Sequence, residues 1–169
     1  MSSDAIVMLK QDHKEVARLF AEFERTTTTA ARKKAIVTTV IEKLTVHTHL
    51  ENTVFYPAVT EHVPALKDHI LESYEEHHVV DLLTAELAGM DPSHVRYFPK
   101  FTVVMENVRH HVKEEEHEWF PQVRQAMSRT QLRDVGQAMA DLKPGAPTSP
   151  AQPSALKKAL GLDILVEGD

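Results

Sequence analysis

Between Asp4 and about Glu24, Ile6, Leu9, Val16, Leu19, Phe20 and Phe23 recur at intervals of three and four, and His13 stands in the same stripe. That spacing lies along one face of a helix and predicts an amphipathic helix turned to a core. The polar run Thr26–Thr29 supplies the turn after it. A second stripe, from about Ala31 to Glu61, runs through Ile36, Val37, Val40, Ile41, Leu44, Val54 and Val59. Pro57 is expected to kink it, because proline lacks the amide that an interior turn needs. A third helix opens at Pro64 and runs through Ile70, Leu71, His77, Val80, Leu83 and Leu87 to Gly89. Asp91-Pro92 reads as a cap followed by a first-turn proline, with Pro99 as a later possible start for the long fourth helix. That helix reaches about Met127 and is interrupted by Pro121. Ser128 with Gln131 predicts a capping box for a short fifth helix ending near Leu142.

Four of the five glycines lie after residue 130, and no earlier stretch alternates apolar and polar for long, so strands are not expected. The pattern predicts an all-α chain: an up-down-up-down four-helix bundle of two similar hairpins, with a short C-terminal helix and a Pro-rich tail. Residues 1–127 would form the bundle, 128–142 the fifth helix and 143–155 a Pro-rich linker. Residues 156–169 would be a tail with the pattern for one or two turns of helix, whose Leu156, Leu160, Ile164 and Leu165 either fray or dock on the bundle or a partner.

The composition narrows the chemistry. The absence of cysteine excludes disulfides, thiolate metal sites and thiol catalysis, and it suits a cytoplasmic protein. A formal net charge of −6 argues against nucleic acid as partner. No apolar run approaches the ~18–20 residues that cross a bilayer, and MSSDAIVMLKQDH lacks the cationic start of a signal peptide. Glycine-rich phosphate loops and a Ser-His-Asp order are absent too, so nucleotide and hydrolase readings have no support.

Eleven histidines remain to be explained. A repeat of 64 residues organises them. His13 maps onto His77, His47 onto His111, Glu51 onto Glu115, and Tyr56-Pro57 onto Phe120-Pro121. Core positions agree, Val16 onto Val80 and Val40 onto Val104 among them. The repeat selects His77 and His111 from the doublets His77-His78 and His110-His111. Within each hairpin a His and a Glu stand four residues apart, neighbours on one helical face, and a single His comes from the partner helix. Four imidazoles and two carboxylates then meet at the waist of the bundle. Such a set suits iron, zinc or manganese, and paired carboxylates suit two metals. His49, His62, His69, His78, His94, His110 and His117 lack repeat partners and read as surface or supporting groups. Glu114, Glu116 and Glu118 read as a solvated face, and Phe20, Phe23, Phe55, Phe101 and Trp119 as core.

The ordered set His13, His47-x-x-x-Glu51, His77 and His111-x-x-x-Glu115, with its trailing aromatic-proline pairs, resembles the haemerythrin family in its bacterial haemerythrin-like (HHE cation-binding) form, over roughly residues 4 to 127. The resemblance implies two iron ions, ahead of zinc or manganese, bridged by carboxylates and an oxo or hydroxo group. It also implies a small diatomic or peroxide ligand. The chain departs from the oxygen carriers in two places. Asp81 stands where they have a second third-helix histidine, and Glu115 where they have aspartate. That leaves coordination positions open unless Tyr56, Tyr74 or Asp81 fills one. The expected activity is reaction with hydrogen peroxide, nitric oxide or dioxygen in oxidative or nitrosative stress. The alternatives are reversible dioxygen or nitric-oxide binding or sensing, and iron storage or donation. No catalytic residue is expected beyond the metal centre, and the chain is expected to be a monomer or homodimer.

Overall fold

In the computed structural model, which describes residues 4–25 and 27–150, every regular element is helical. Helix α1 spans Ala5–Glu24, and Asp4 caps it by accepting from the Val7 amide at 3.2 Å. Helix α2 spans Ala30–Leu50, capped likewise by Thr29. The short α3 (Tyr56–His62) leads through a tight turn at Pro64–Leu66 into α4 (Lys67–Gly89). Helix α5 (Tyr97–Glu114) precedes α6 (Phe120–Ala126) and α7 (Arg129–Leu142). The Ser128–Gln131 capping box at the head of α7 is formed in both directions. Helix α1 packs on α2, α2 on α4, α4 on α5, and α5 back on α1, while α7 lies against α1. Among the described residues no helix is long and apolar enough to cross a membrane. The tail stripe from Leu156 to Leu165 lies outside the described residues.

Two apolar clusters fill the interior. One gathers Phe20, Phe23, Ile36, Val40, Phe101 and Val104, and the other gathers Ile6, Leu9, Phe55, Trp119, Phe120 and Met139. The chain passes from the second cluster to the first along α1 and α4, and back along α2 and α5. Between the clusters lies a buried polar layer containing His13, His47, Glu51, His77, His111 and Glu115.

The two prolines act differently from a simple kink. Helix α2 continues into a wide π turn at Glu51–Phe55, and α5 into another at Glu115–Trp119. There the Tyr56 amide donates to the Glu51 carbonyl, and the Phe120 amide to that of Glu115. An uninterrupted α-helix would drive the Pro57 and Pro121 rings against carbonyls four residues back, and the extra residue in each turn relieves that conflict. The insertion also rotates the helical turn beyond it. Phe55, Tyr56, Trp119 and Phe120 become buried, whereas Val54, expected in the core stripe, is only half-buried. Two further expectations change. Leu71 is 51% exposed, because Ile70, Ser73 and His77 occupy the inner face of α4. Asp91 caps a local turn, accepting from the Ser93 amide and hydroxyl at 2.8 Å each. The fourth long helix begins at Tyr97 without a side-chain cap, so Pro99 sits in its first turn, where a missing amide leaves no bond unmade.

Candidate metal centre

The α2 and α5 spacing brings each His–Glu pair onto one inner face, and α1 and α4 present His13 and His77 across from them. His13 Nε2 lies 3.2 Å from His47 Nε2, and His77 Nε2 lies 3.0 Å from His111 Nε2. The carboxylates span the two pairs. Glu51 Oε2 stands 3.2 Å from His47 Nε2 and 3.3 Å from His77 Nε2. Glu115 reaches His13 Nε2 with Oε2 at 3.2 Å and His111 Nε2 with Oε1 at 3.6 Å. Two overlapping donor groups result: His13, His47, Glu51 and Glu115, and then Glu51, His77 and His111. All six sequence-predicted donors therefore come together, while His78 and His110 fall outside both groups.

The outer nitrogens show which protons the rings carry. His13 Nδ1 donates to Glu116 Oε1 at 2.8 Å, His77 Nδ1 to Asn52 Oδ1 at 2.8 Å, and His111 Nδ1 to Glu76 Oε2 at 2.7 Å. Asp12 Oδ2 faces His47 Nδ1 at 3.7 Å, beyond hydrogen-bond reach. These oxygens accept, so three of the rings hold their proton outside and turn an Nε2 lone pair inward. Lone pairs 3.0–3.2 Å apart repel unless a positive charge lies between them. Both Glu51 oxygens and Glu115 Oε2 are also buried without a hydrogen-bond partner. Ligands on one ion at about 2.0–2.2 Å stand roughly 3 Å or slightly more apart, so the donor set and its spacing fit a bound metal.

Without metal, protons must supply that charge. Burial works against a charged His47, but Glu51, aided by Asp12, raises it to about 10. Burial opposes a charged His111 too, yet Glu115 and Glu76 raise it to about 9. His77 is lowered by burial, with the neighbouring His111 acting in the same direction. Glu51 is held well below the carboxylate range, because the attraction of His47 and His77 outweighs burial.

Of the three additional candidates, Tyr56 alone has its hydroxyl in the cluster. It donates to Glu115 Oε1 at 2.9 Å and lies 3.2 Å from His77 Nε2. Burial, followed by the charges of Glu115 and Glu51, raises its pKa well above that of an ordinary phenol. Phe120 takes the corresponding place in the other hairpin, stacked on His13. The Tyr74 hydroxyl donates instead to the Asn52 carbonyl at 3.3 Å. Asp81 stands outside both donor groups, its carboxyl raised to about 6 by burial. A cavity of about 20 Å³ adjoins the four rings, walled by Val16, Leu44, Val80, Val108 and Val112.

Four outer groups were not anticipated as partners of the rings, and Glu116 in particular is not merely part of a solvated face. The repeat carries the signal that finds them: Asp12 maps onto Glu76 and Asn52 onto Glu116. In each hairpin the residue before the lone histidine faces the ring of the His–Glu pair, and the residue after the glutamate holds the lone histidine of the other hairpin.

The chain is similar to a hemerythrin HHE cation binding domain-containing protein from Mycobacterium kansasii, at 21% identity and a TM-score of 0.69, over 85% of this chain and 86% of that one. At that identity the likeness establishes the fold. No curated protein matches. The family model described as the Hemerythrin HHE cation binding domain matches residues 4–123, and over that span the chain belongs to this family.

Proposed function

We propose that this chain is a non-haem di-iron protein that reacts with small oxidants, namely hydrogen peroxide, nitric oxide or dioxygen, in oxidative or nitrosative stress defence. The observation that carries this reading is that each buried carboxylate reaches both imidazole pairs, as a shared ligand between two ions would. His13 and His47 would hold one ion, His77 and His111 the other, with Glu51 and Glu115 common to both. The passage of the chain between its apolar clusters supports an up-down-up-down bundle of two hairpins over residues 1–127.

A bound iron pair would supply the redox chemistry. The chain's own residues select and prepare the ligand. The apolar walls keep bulk water and large substrates from the rings, and a cavity of about 20 Å³ has room for one water-sized molecule. The Tyr56 phenol holds a proton against Glu115 Oε1, on one side of the site only. The Tyr56 hydroxyl lies on the His77–His111 side, so its oxygen would be the nearest further donor to a metal held there. Asp81, one turn beyond His77 on α4, can hold a proton near pH 6. Lacking the extra imidazole of the oxygen carriers, the residues present would leave a bound iron pair room for an oxidant, which favours turnover over carriage.

Initial rates with hydrogen peroxide test this on the iron-loaded protein. Sustained turnover with the visible absorption intact is expected. A stable, reversible coloured adduct without turnover would overturn the enzymatic reading in favour of a carrier or sensor. Iron stripped by chelators within minutes would favour iron handling.

A further inference from the structure

A third group of metal-type donors lies outside the centre, on the surface between α4 and α5. His110, the outward ring of its doublet, has a side chain 62% exposed. Its Nε2 lies 3.5 Å from Glu76 Oε1 and 3.3 Å from Glu114 Oε1. Two ligands bonded at about 2.0–2.1 Å to one tetrahedral ion stand about 3.3–3.4 Å apart, so these separations match ligands of a shared ion.

Two features distinguish the group from an ordinary His–Glu pair on a helix. Glu76 is anchored: its Oε2 accepts from His111 Nδ1 at 2.7 Å, and its other oxygen faces His110. The other hairpin shows what this position attracts. Sixty-four residues earlier stand Asp12, Val46 and Leu50. There Asp12 accepts from Lys143 Nζ at 3.2 Å, so the chain itself supplies a cation to the equivalent carboxylate. On the Glu76 side, the ion pairs among the described residues bring no lysine or arginine. Instead His110 and Glu114, both metal-type donors, replace Val46 and Leu50.

We propose that Glu76, His110 and Glu114 form an outer divalent-cation site that shares Glu76 with the inner centre. The imidazole selects a borderline ion such as Zn²⁺ or Fe²⁺ over Mg²⁺ or Ca²⁺, which prefer all-oxygen cages. Water completes the coordination on the open side. The site does not depend on which metal the inner centre holds.

Calorimetric titration with zinc tests the site on the metal-loaded protein, with the inner metal counted by elemental analysis before and after. Wild type should take up one zinc per chain beyond its inner complement. His110→Ala and Glu114→Gln should each weaken that uptake at least tenfold while the inner metal count stays unchanged. The surface variant His117→Ala should bind zinc as wild type does. The proposal is overturned if wild type takes up no additional zinc, if it takes zinc only by displacing the inner metal, or if His110→Ala binds as tightly as wild type. An inner metal other than iron would contradict the proposed redox activity and leave this result standing.

Discussion

Glu76 and Asp12 occupy equivalent places in the two hairpins but stand at different distances from the rings they face. Glu76 holds His111 Nδ1 at 2.7 Å, whereas Asp12 lies 3.7 Å from His47 Nδ1. A charge-assisted bond at 2.7 Å fixes the ring's orientation and raises its donor strength, and loss of such outer partners typically weakens metal binding by about 10–100-fold. At about 1.4 kcal/mol per factor of ten, Glu76→Ala should therefore cost about 1.4–2.8 kcal/mol of inner-site affinity. At 3.7 Å there is no hydrogen bond to lose. Asp12→Ala removes a screened attraction and frees Lys143, so its cost should stay below about threefold, under 0.7 kcal/mol. The assay is competition for inner metal against a chelator of known affinity, with both variants made in the His110→Ala background so that the outer group contributes nothing. Equal losses in the two variants would refute the reasoning that the outer bond, rather than nearby negative charge, sets the affinity.

The same geometry leads to other outcomes. Tyr56→Phe copies the Phe120 side of the repeat and leaves Glu115 Oε1 without its donor. In metal-free protein this should cost about 1.5–3 kcal/mol, or about 3–12 °C in Tm, and an unchanged Tm would show that the hydroxyl contributes nothing to Glu115. Metal must displace the protons held by His47 and His111, which are raised to about 10 and about 9. Near pH 7, binding should thus release about two protons, and affinity should climb with pH, as calorimetry in buffers of different ionisation heat would show. The metal-free fold should respond in the opposite direction. The stabilisation from these raised values is fully present below about pH 6.5 and is lost as pH rises through 9 to 10, so its Tm should fall over that window.

Much of this site was legible in the sequence because a period of 64 residues imposes two independent constraints on each position. A lone histidine in an apolar stripe says little, but His13 and His77 in register, each with its own His-x-x-x-Glu partner, fix both the helix face and the residue chosen from a doublet. The outer partners carried the same signal in Asp12–Glu76 and Asn52–Glu116. It was masked because asparagine and glutamate differ in charge and because acidic residues beside one another read as solvated surface. The π turns were not legible in helical periodicity, since an inserted residue appears only as a phase slip. That slip explains why Val54 falls half outside the core and why Phe55 and Tyr56 point inward. Leu71 was misplaced for a related reason: Ile70 and Leu71 are adjacent, and only one of two neighbours can face the interior of α4. Asp91 obeyed the local rule for aspartate before proline, but its hydrogen bonds closed a turn five residues short of the helix.

The central claim is that six residues from two like hairpins hold a pair of iron ions. Metal content per chain, measured by elemental analysis on protein purified without a metal-affinity tag, tests it most directly. Two irons per chain are expected in the His110→Ala background, where the outer group is removed, and they should be lost on adding His47→Ala or Glu115→Ala and retained on adding His49→Ala. One metal or none after reconstitution with ferrous iron, or equal metal content in all three variants, would contradict it.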